Sequence, residues 1–340
     1  SVFNRNNSTI TNVKNTANID FARTYFITPF KTNRWLVGCR EGVLLLQKKY
    51  DNYTIDILSE YPELSTFKKR INTILALNEN DFLLGSIQNA GLTYWQSGNH
   101  TMKTFLHINA DPSSIADNNV NRIYKGKDNT IWVATSKGFS SFDPVNKKFI
   151  NHLIKFNSGV RESNVNDLYD DGRYLWLAAY QEGLVRWDKI NNTYKVYGED
   201  NGLPTSAIYN IKSDGMSNLW ISSATGLIVF NTIKEVFNFY TKEDGLQDNE
   251  FNRFAVFETD KNLYFGGISG FSIIKKDNWQ IEKKTAPVQI VEIKYLNNHR
   301  YTAIPGIPNR LHLPARSNSF EINFSTFNFS NPRNEQYEYM

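Results

Sequence analysis

One cysteine, Cys39, occurs in 340 residues. A lone thiol excludes an intrachain disulfide framework and any cysteine-rich metal site, and it leaves the compartment open because exported proteins can also lack disulfides. Charge of one sign is equally scarce. Lys and Arg number 38 against 34 Asp and Glu, and the basic runs are short, such as Lys48-Lys49, Lys68-Lys69-Arg70 and Lys283-Lys284. A net charge of +4 on so large a surface gives no polyanion footprint, so no direct nucleic-acid binding is expected. No apolar run approaches a membrane span, and Ser1-Val2-Phe3-Asn4-Arg5 does not read as a signal peptide, so any leader or anchor would lie outside these residues.

Signatures of catalysis are missing too. The chain has no HExxH, nucleophile elbow, phosphate loop or metal-ligand cluster, and no cofactor or metal is expected. His100, His107, His152, His299 and His312 fall on expected outer strands or in the tail. Loops that should share one face carry Asp117, Glu162, Asp200, Asp244, Asp248 and Glu250, so a carboxylate pair for glycoside cleavage stays open beside the plainer reading of solvated turn residues.

Aromatic residues are plentiful, with 18 Tyr and 23 Phe, a composition that suits pleated strands. They recur with a period. Arg34-Trp35-Leu36-Val37-Gly38, Asp81-Phe82-Leu83-Leu84-Gly85, Ile131-Trp132-Val133-Ala134-Thr135, Leu175-Trp176-Leu177-Ala178-Ala179, Leu219-Trp220-Ile221-Ser222-Ser223 and Leu263-Tyr264-Phe265-Gly266-Gly267 align on one pattern. Each copy reads as four short strands joined by Gly, Asp, Asn and Pro turns, as Val120–Tyr124, Thr130–Thr135, Gly138–Phe142 and a strand from Lys147 do in the third. Four antiparallel strands at this period predict a propeller blade, and six copies predict an all-β β-propeller. The repeated Trp residues are expected to pack between blades, with the small residues after them where inner strands crowd. The propeller is expected over residues 16–280, after a stub, 1–15, that reads as an outer strand of an adjoining blade. Periodicity stops near Asn278, and alternating segments at Val288–Ile293, Arg310–Pro314 and Phe320–Phe324 predict the N-terminal part of an Ig-like β-sandwich over 284–340.

The repeat Asn129-Thr130-Ile131-Trp132-Val133-Ala134-Thr135-Ser136-Lys137-Gly138 resembles the regulatory propeller repeat of hybrid two-component sensors from gut Bacteroidetes. The loops Asp200-Asn201-Gly202-Leu203-Pro204 and Glu243-Asp244-Gly245-Leu246-Gln247-Asp248-Asn249 match as well, and the tail from Phe320 to Tyr339 is similar to the start of that family's Tyr-rich sandwich. The resemblance implies a periplasmic sensor region that binds an oligosaccharide. Through the sandwich and a downstream membrane helix it would control a cytoplasmic histidine kinase and a transcriptional output, as a homodimer in the full-length protein. The fragment itself is then no enzyme. The family's rings usually have seven blades, so the six repeats here read as a complete ring or as part of a larger one. A glycan-processing propeller enzyme and a protein-interaction scaffold are the alternatives.

The expected binding face carries the loops that lead into the inner strands and those that join second and third strands, because irregular loops on a rigid frame are where recognition tends to reside. Asn72, Asn121, Asn166 and Asn252 recur there in one register, joined by Arg122 and Arg253, either as ligand groups or as Asn residues that cap their own turns. Tyr180 and Gln181 supply an aromatic and an amide, with Arg40, Gln88 and Asn89 in the equivalent turns of the first two blades. Such a patch suits an acidic or highly hydroxylated glycan, unless Tyr180 merely covers the edge of Trp176.

Overall fold

Short apolar runs, buried on both faces in the middle strands, are interrupted every few positions by turn residues, so each repeat folds back on itself as a meander. The computed structural model describes residues 2–4, 9–11, 13–15, 24–50, 52–56, 59–152, 154, 163–277, 288–297, 300–303 and 319–325, and divides the chain into units 1–278 and 279–340. The strands β1 (Val2–Asn4) and β2 (Thr9–Thr11) pair with each other, and β3 (Lys14–Asn15) follows. Blade 1 comprises β4 (Thr24–Lys31), β5 (Arg34–Cys39), β6 (Gly42–Lys49) and β7 (Asn52–Asp56), and β3 adds a fifth, parallel strand outside β7. One helical turn, α1 (Pro62–Ser65), precedes blade 2, formed by β8 (Ile71–Ala76), β9 (Asp81–Ser86), β10 (Leu92–Gln96) and β11 (Thr101–Phe105). Blade 3 is β12 (Val120–Lys125), β13 (Ile131–Thr135), β14 (Gly138–Asp143) and β15 (Lys148–His152). Blade 4 is β16 (Val165–Asp170), β17 (Tyr174–Ala179), β18 (Gly183–Asp188) and β19 (Thr193–Tyr197). Blade 5 is β20 (Ile208–Ser213), β21 (Asn218–Ser223), β22 (Leu227–Asn231) and β23 (Val236–Tyr240). Blade 6 shows β24 (Phe251–Glu258), β25 (Asn262–Gly267) and β26 (Gly270–Lys275); an outer strand after Asp277 would fall outside the described residues.

The inner strands β4, β8, β12, β16, β20 and β24 each touch the next, and β24 returns against β4, so six blades close a ring. The protein is an all-β propeller with almost no helix. In the second unit, β27 (Gln289–Asn297) lies between β28 (Arg300–Ala303) and β29 (Phe320–Ser325) in an antiparallel sheet. The segments expected at Arg310–Pro314 and beyond Ser325 lie outside the described residues. Among the described residues, no helix is long and apolar enough to cross a membrane.

Burial between blades holds the ring together. Trp132 of blade 3 packs with Leu168, Leu175, Leu177 and Val185 of blade 4, and its ring meets Trp187 edge-on at 5.4 Å. Trp176 of blade 4 repeats this against Ile208, Leu219, Ile221 and Phe230 of blade 5. Small residues sit where the next blade presses closest. A Cβ on Gly38 would lie 2.8 Å from the carbonyl oxygen of Ile71, and one on Gly85 would lie 2.7 Å from Val120. The two Gly-Leu loops are structural: Gly202 and Gly245 end short turns in the left-handed region, which favours glycine, and send Leu203 and Leu246 inward. Blade 6 is less completely covered, leaving Phe257, Phe271 and Ile273 exposed.

Candidate functional site at the mouth of the channel

Every inner strand begins with the same irregularity. Thr24-Tyr25-Phe26, Ile71-Asn72-Thr73, Val120-Asn121-Arg122, Val165-Asn166-Asp167 and Ile208-Tyr209-Asn210 each carry one unpaired middle residue, and in blade 6 the irregular stretch runs from Phe251 to Val256. A bulge re-aims side chains, so the middle and third residues of each triplet leave the strand's regular alternation. In blade 6 the cost is visible: Phe254 takes a φ of 65°, unusual for a bulky residue.

These side chains tie each blade to the next. The amide of Asn121 donates to the carbonyl of Val165 at 2.9 Å, and that of Asn166 donates to the carbonyl of Ile208 at 2.8 Å. In the third position, Thr73 Oγ1 accepts from the backbone N–H of Ile123, Asp167 Oδ2 from that of Ile211, and Asn210 Oδ1 from that of Phe254. Arg122 breaks the series because a guanidinium cannot accept. Asp167 compensates: its Oδ1 takes both its own neighbour's N–H, on Leu168, and the Nε of Arg122 at 3.2 Å. The recurrent Asn residues of blades 3 and 4 therefore bond the next blade's backbone rather than capping their own turns. Lys212, two residues beyond Asn210 on the same strand face, is buried, and burial pushes its pKa down while Asp167 opposes the shift.

Above this belt lies a cavity of about 860 Å³, within the usual range for small-ligand pockets. Blade 1 contributes Thr24 and Tyr25, blade 2 Arg70, Asn72, Ile87 and Gln88, and blade 6 Asn252 through Ala255, with Asn119, Asn121, Ser136 and Asn164 between. Inner-strand starts and second-to-third-strand turns thus share one face. Beside it, Tyr180 and Tyr209 stack with centroids 6.2 Å apart and planes 20° from parallel. The Arg253 guanidinium lies 4.3 Å from the Tyr180 centroid and 5.2 Å from that of Tyr209. Burial pushes the Tyr209 hydroxyl pKa up, with Arg253 pulling the other way.

Residues 114–137, the lead into blade 3 with its first two strands, match the two-component regulator propeller family. Histidine kinase P4 of Formosa agariphila is 24% identical over 284 residues, covering 77% of this chain and 20% of that protein. Two crystal structures of the extracellular domain of BT4673 from B. thetaiotaomicron, named as a hybrid two-component and a one-component system, superpose with TM-scores of 0.62 and 0.61. Their identities are 19% and 21%, over 79% and 74% of this chain and 34% and 32% of theirs. The chain spans 20–34% of the length of these relatives.

In this propeller, Gln88, Asn121, Asn252 and Arg253 line the cavity, and Tyr180 joins it through Arg253. The ring neighbours of Trp176 are Tyr174, Tyr197 and Phe230, so Tyr180 is not its edge cover. Asn89 is turned to Asn119, donating its N–H to Oδ1 at 3.0 Å. Arg122 is buried against Asp167 and the ring of Phe26, below the cavity. Gln181 donates its backbone N–H to Ser206, and exposed Arg40 faces Glu41; neither lines the cavity. Asp117, Asp200, Asp244, Asp248 and Glu250 do not line it either, and Glu162 lies outside the described residues. Tyr25, Arg70 and Tyr209 escaped the sequence reading. The triplet register would have found Tyr25 and Tyr209, since each occupies the place that Asn holds in blades 2 to 4.

Proposed function

We propose that this chain is the periplasmic ligand-sensing portion of a hybrid two-component sensor histidine kinase, and that it binds an oligosaccharide at the mouth of the propeller channel. The observation that carries this reading is the cavity itself, ringed by five blades and flanked by the Tyr180–Tyr209–Arg253 stack. Aromatic faces beside planar amides and guanidinium groups are what a sugar needs, apolar ring surface on one side and directed hydrogen bonds on the other. The named relatives, a histidine kinase and an extracellular two-component domain, support the sensing context. The fragment is a sensing module rather than an enzyme. The second unit opens a sandwich that leads towards a membrane helix further along the full-length chain, which acts as a homodimer with the sandwich near its two-fold axis.

A thermal-shift panel of oligosaccharides tests the reading. A ligand present at 100 times its Kd should add about 2.7 kcal/mol of stability without being converted to product. In the double variant Tyr180→Ala/Arg253→Ala the shift should vanish while the melting temperature of the free protein hardly moves. Undiminished binding in that variant would place the site elsewhere, and product formation would return the enzyme reading.

A further inference from the structure

Asn72 stands apart from its sister residues. Asn121 and Asn166, one and two blades on, spend their amides on the next blade, but both the Nδ2 and the Oδ1 of Asn72 lack a partner although the residue is 0% exposed. Turning the amide over changes nothing, since both ends are unmet. Two further buried atoms without partners, Tyr25 Oη and Arg70 Nε, belong to residues of the same cavity wall, and the Arg70 guanidinium rests 4.2 Å from the Tyr25 ring centroid. A buried polar atom left unpaired is destabilising, and four of them on one wall are groups that an incoming ligand would satisfy.

The sign of the wall is equally one-sided. Its charged side chains are Arg70 and Arg253, with no Asp or Glu among the lining residues. In the belt beneath, Arg122 and Lys212 face the carboxylate of Asp167, while Glu258, which also acts on Lys212, is paired with Lys276. Glu250, whose charge reaches Tyr209, does not line the cavity. Charge-assisted hydrogen bonds are roughly twice as strong as neutral ones, and a guanidinium matches the two oxygens of a carboxylate or sulfate in one plane.

We infer that the cavity selects an anionic oligosaccharide, with a carboxylate or sulfate group of the sugar held by Arg70 and Tyr25 and neighbouring hydroxyls taken by the amide of Asn72. The inference rests on the oligosaccharide reading above for the sugar, and on this wall for the charge.

Isothermal titration of the intact chain with two matched pairs tests it: tetragalacturonate against its carboxyl-reduced form, and a sulfated galactan tetrasaccharide against its desulfated form. Inorganic sulfate at constant ionic strength is a probe of the wall alone. The charged member of at least one pair should bind ten-fold or more tighter than its neutral counterpart, and whichever pair does so identifies the anion. Arg70→Gln should remove the difference, and Arg253→Gln serves where Arg70→Gln alters folding. Equal binding of charged and neutral members would overturn the inference and leave the oligosaccharide reading intact. Stabilisation by sulfate that is lost in Arg70→Gln, with no sugar bound, would uphold the anion site and remove the sugar. No response to any probe would overturn both.

Discussion

At the far end of β16 from the cavity, Asp170 clasps two blades together. Its carboxylate is fully buried and takes the Lys189 ammonium at 2.7 and 2.9 Å, the Gly172 N–H at 2.8 Å, and the N–H of Lys127, from blade 3, at 3.2 Å. Lys189 reaches across to Asp128 of blade 3 at 3.0 Å, with only 10% of its side chain exposed. Asp170→Ala strands that ammonium beside one half-exposed carboxylate and leaves two backbone donors unmet. Breaking a buried pair from one side costs about 3–5 kcal/mol, and the same logic applies to Lys189→Met. The double variant removes both charges together, so its cost should fall short of the summed single costs by about 2–3 kcal/mol. Urea unfolding of the four proteins, with unchanged slopes, gives the coupling from the midpoints. Additivity within about 0.5 kcal/mol would refute the clasp and reduce Asp170 to a turn residue.

Three further outcomes follow from the packing. Trp176→Ala should cost about 3–5 kcal/mol through the cavity it opens between blades 4 and 5, whereas Trp176→Phe, which keeps a ring but loses the 2.8 Å bond to Asp171, should cost clearly less in the same urea assay. Asn166→Ala leaves the carbonyl of Ile208 buried without its donor and should cost about 1–3 kcal/mol, while Tyr209→Phe, at the same register in the next blade, should be nearly neutral to folding. Burial lowers the pKa of His152 to about 4 from 6.5, so the unfolded chain binds the extra proton between those values; stability from neutral His152 is complete above pH 6.5 and is lost as pH falls towards 4. His152→Phe, which can keep the stack on Phe139, should lose that part of the acid sensitivity in melting curves taken from pH 7 to 4.

The blades were legible because their signal is periodic. The aromatic anchors at 132, 176, 220 and 264 fall one repeat apart, and identical spacing fixes which residues meet even where the residues differ. The site was legible in part, for a physical reason. Asn121, Asn252 and Arg253 could be placed at the channel by counting along a strand, and the same count reaches Tyr25 and Tyr209, but the bulge that re-aims those two rings leaves no mark in residue identity. The pairing of Arg122 with Asp167 needs the adjacency of two blades, which no single repeat contains. Arg40 occupies a second-to-third-strand turn, as Gln88 does, yet the equivalent turns of blades 1 and 2 differ in whether they reach the cavity. Gln88 and Asn89 both adopt left-handed backbone, at φ 65° and 59°, and Gln88 reaches the cavity while Arg40 does not.

Five of the six joins in the ring link strands one repeat apart, but β24 against β4 unites the two ends of the propeller sequence. Contacts between distant segments form late in folding, and segments with exposed apolar surface open first in hydrogen exchange. The seam between blades 6 and 1 is such a contact, and blade 6 on one side of it leaves Phe257, Phe271 and Ile273 uncovered. Tyr25 stands on one bank of that seam, Arg253 and Phe254 on the other, and all three border the same cavity. A molecule gripping both banks would staple this join, so occupancy of the mouth would lengthen the lifetime of the closed ring.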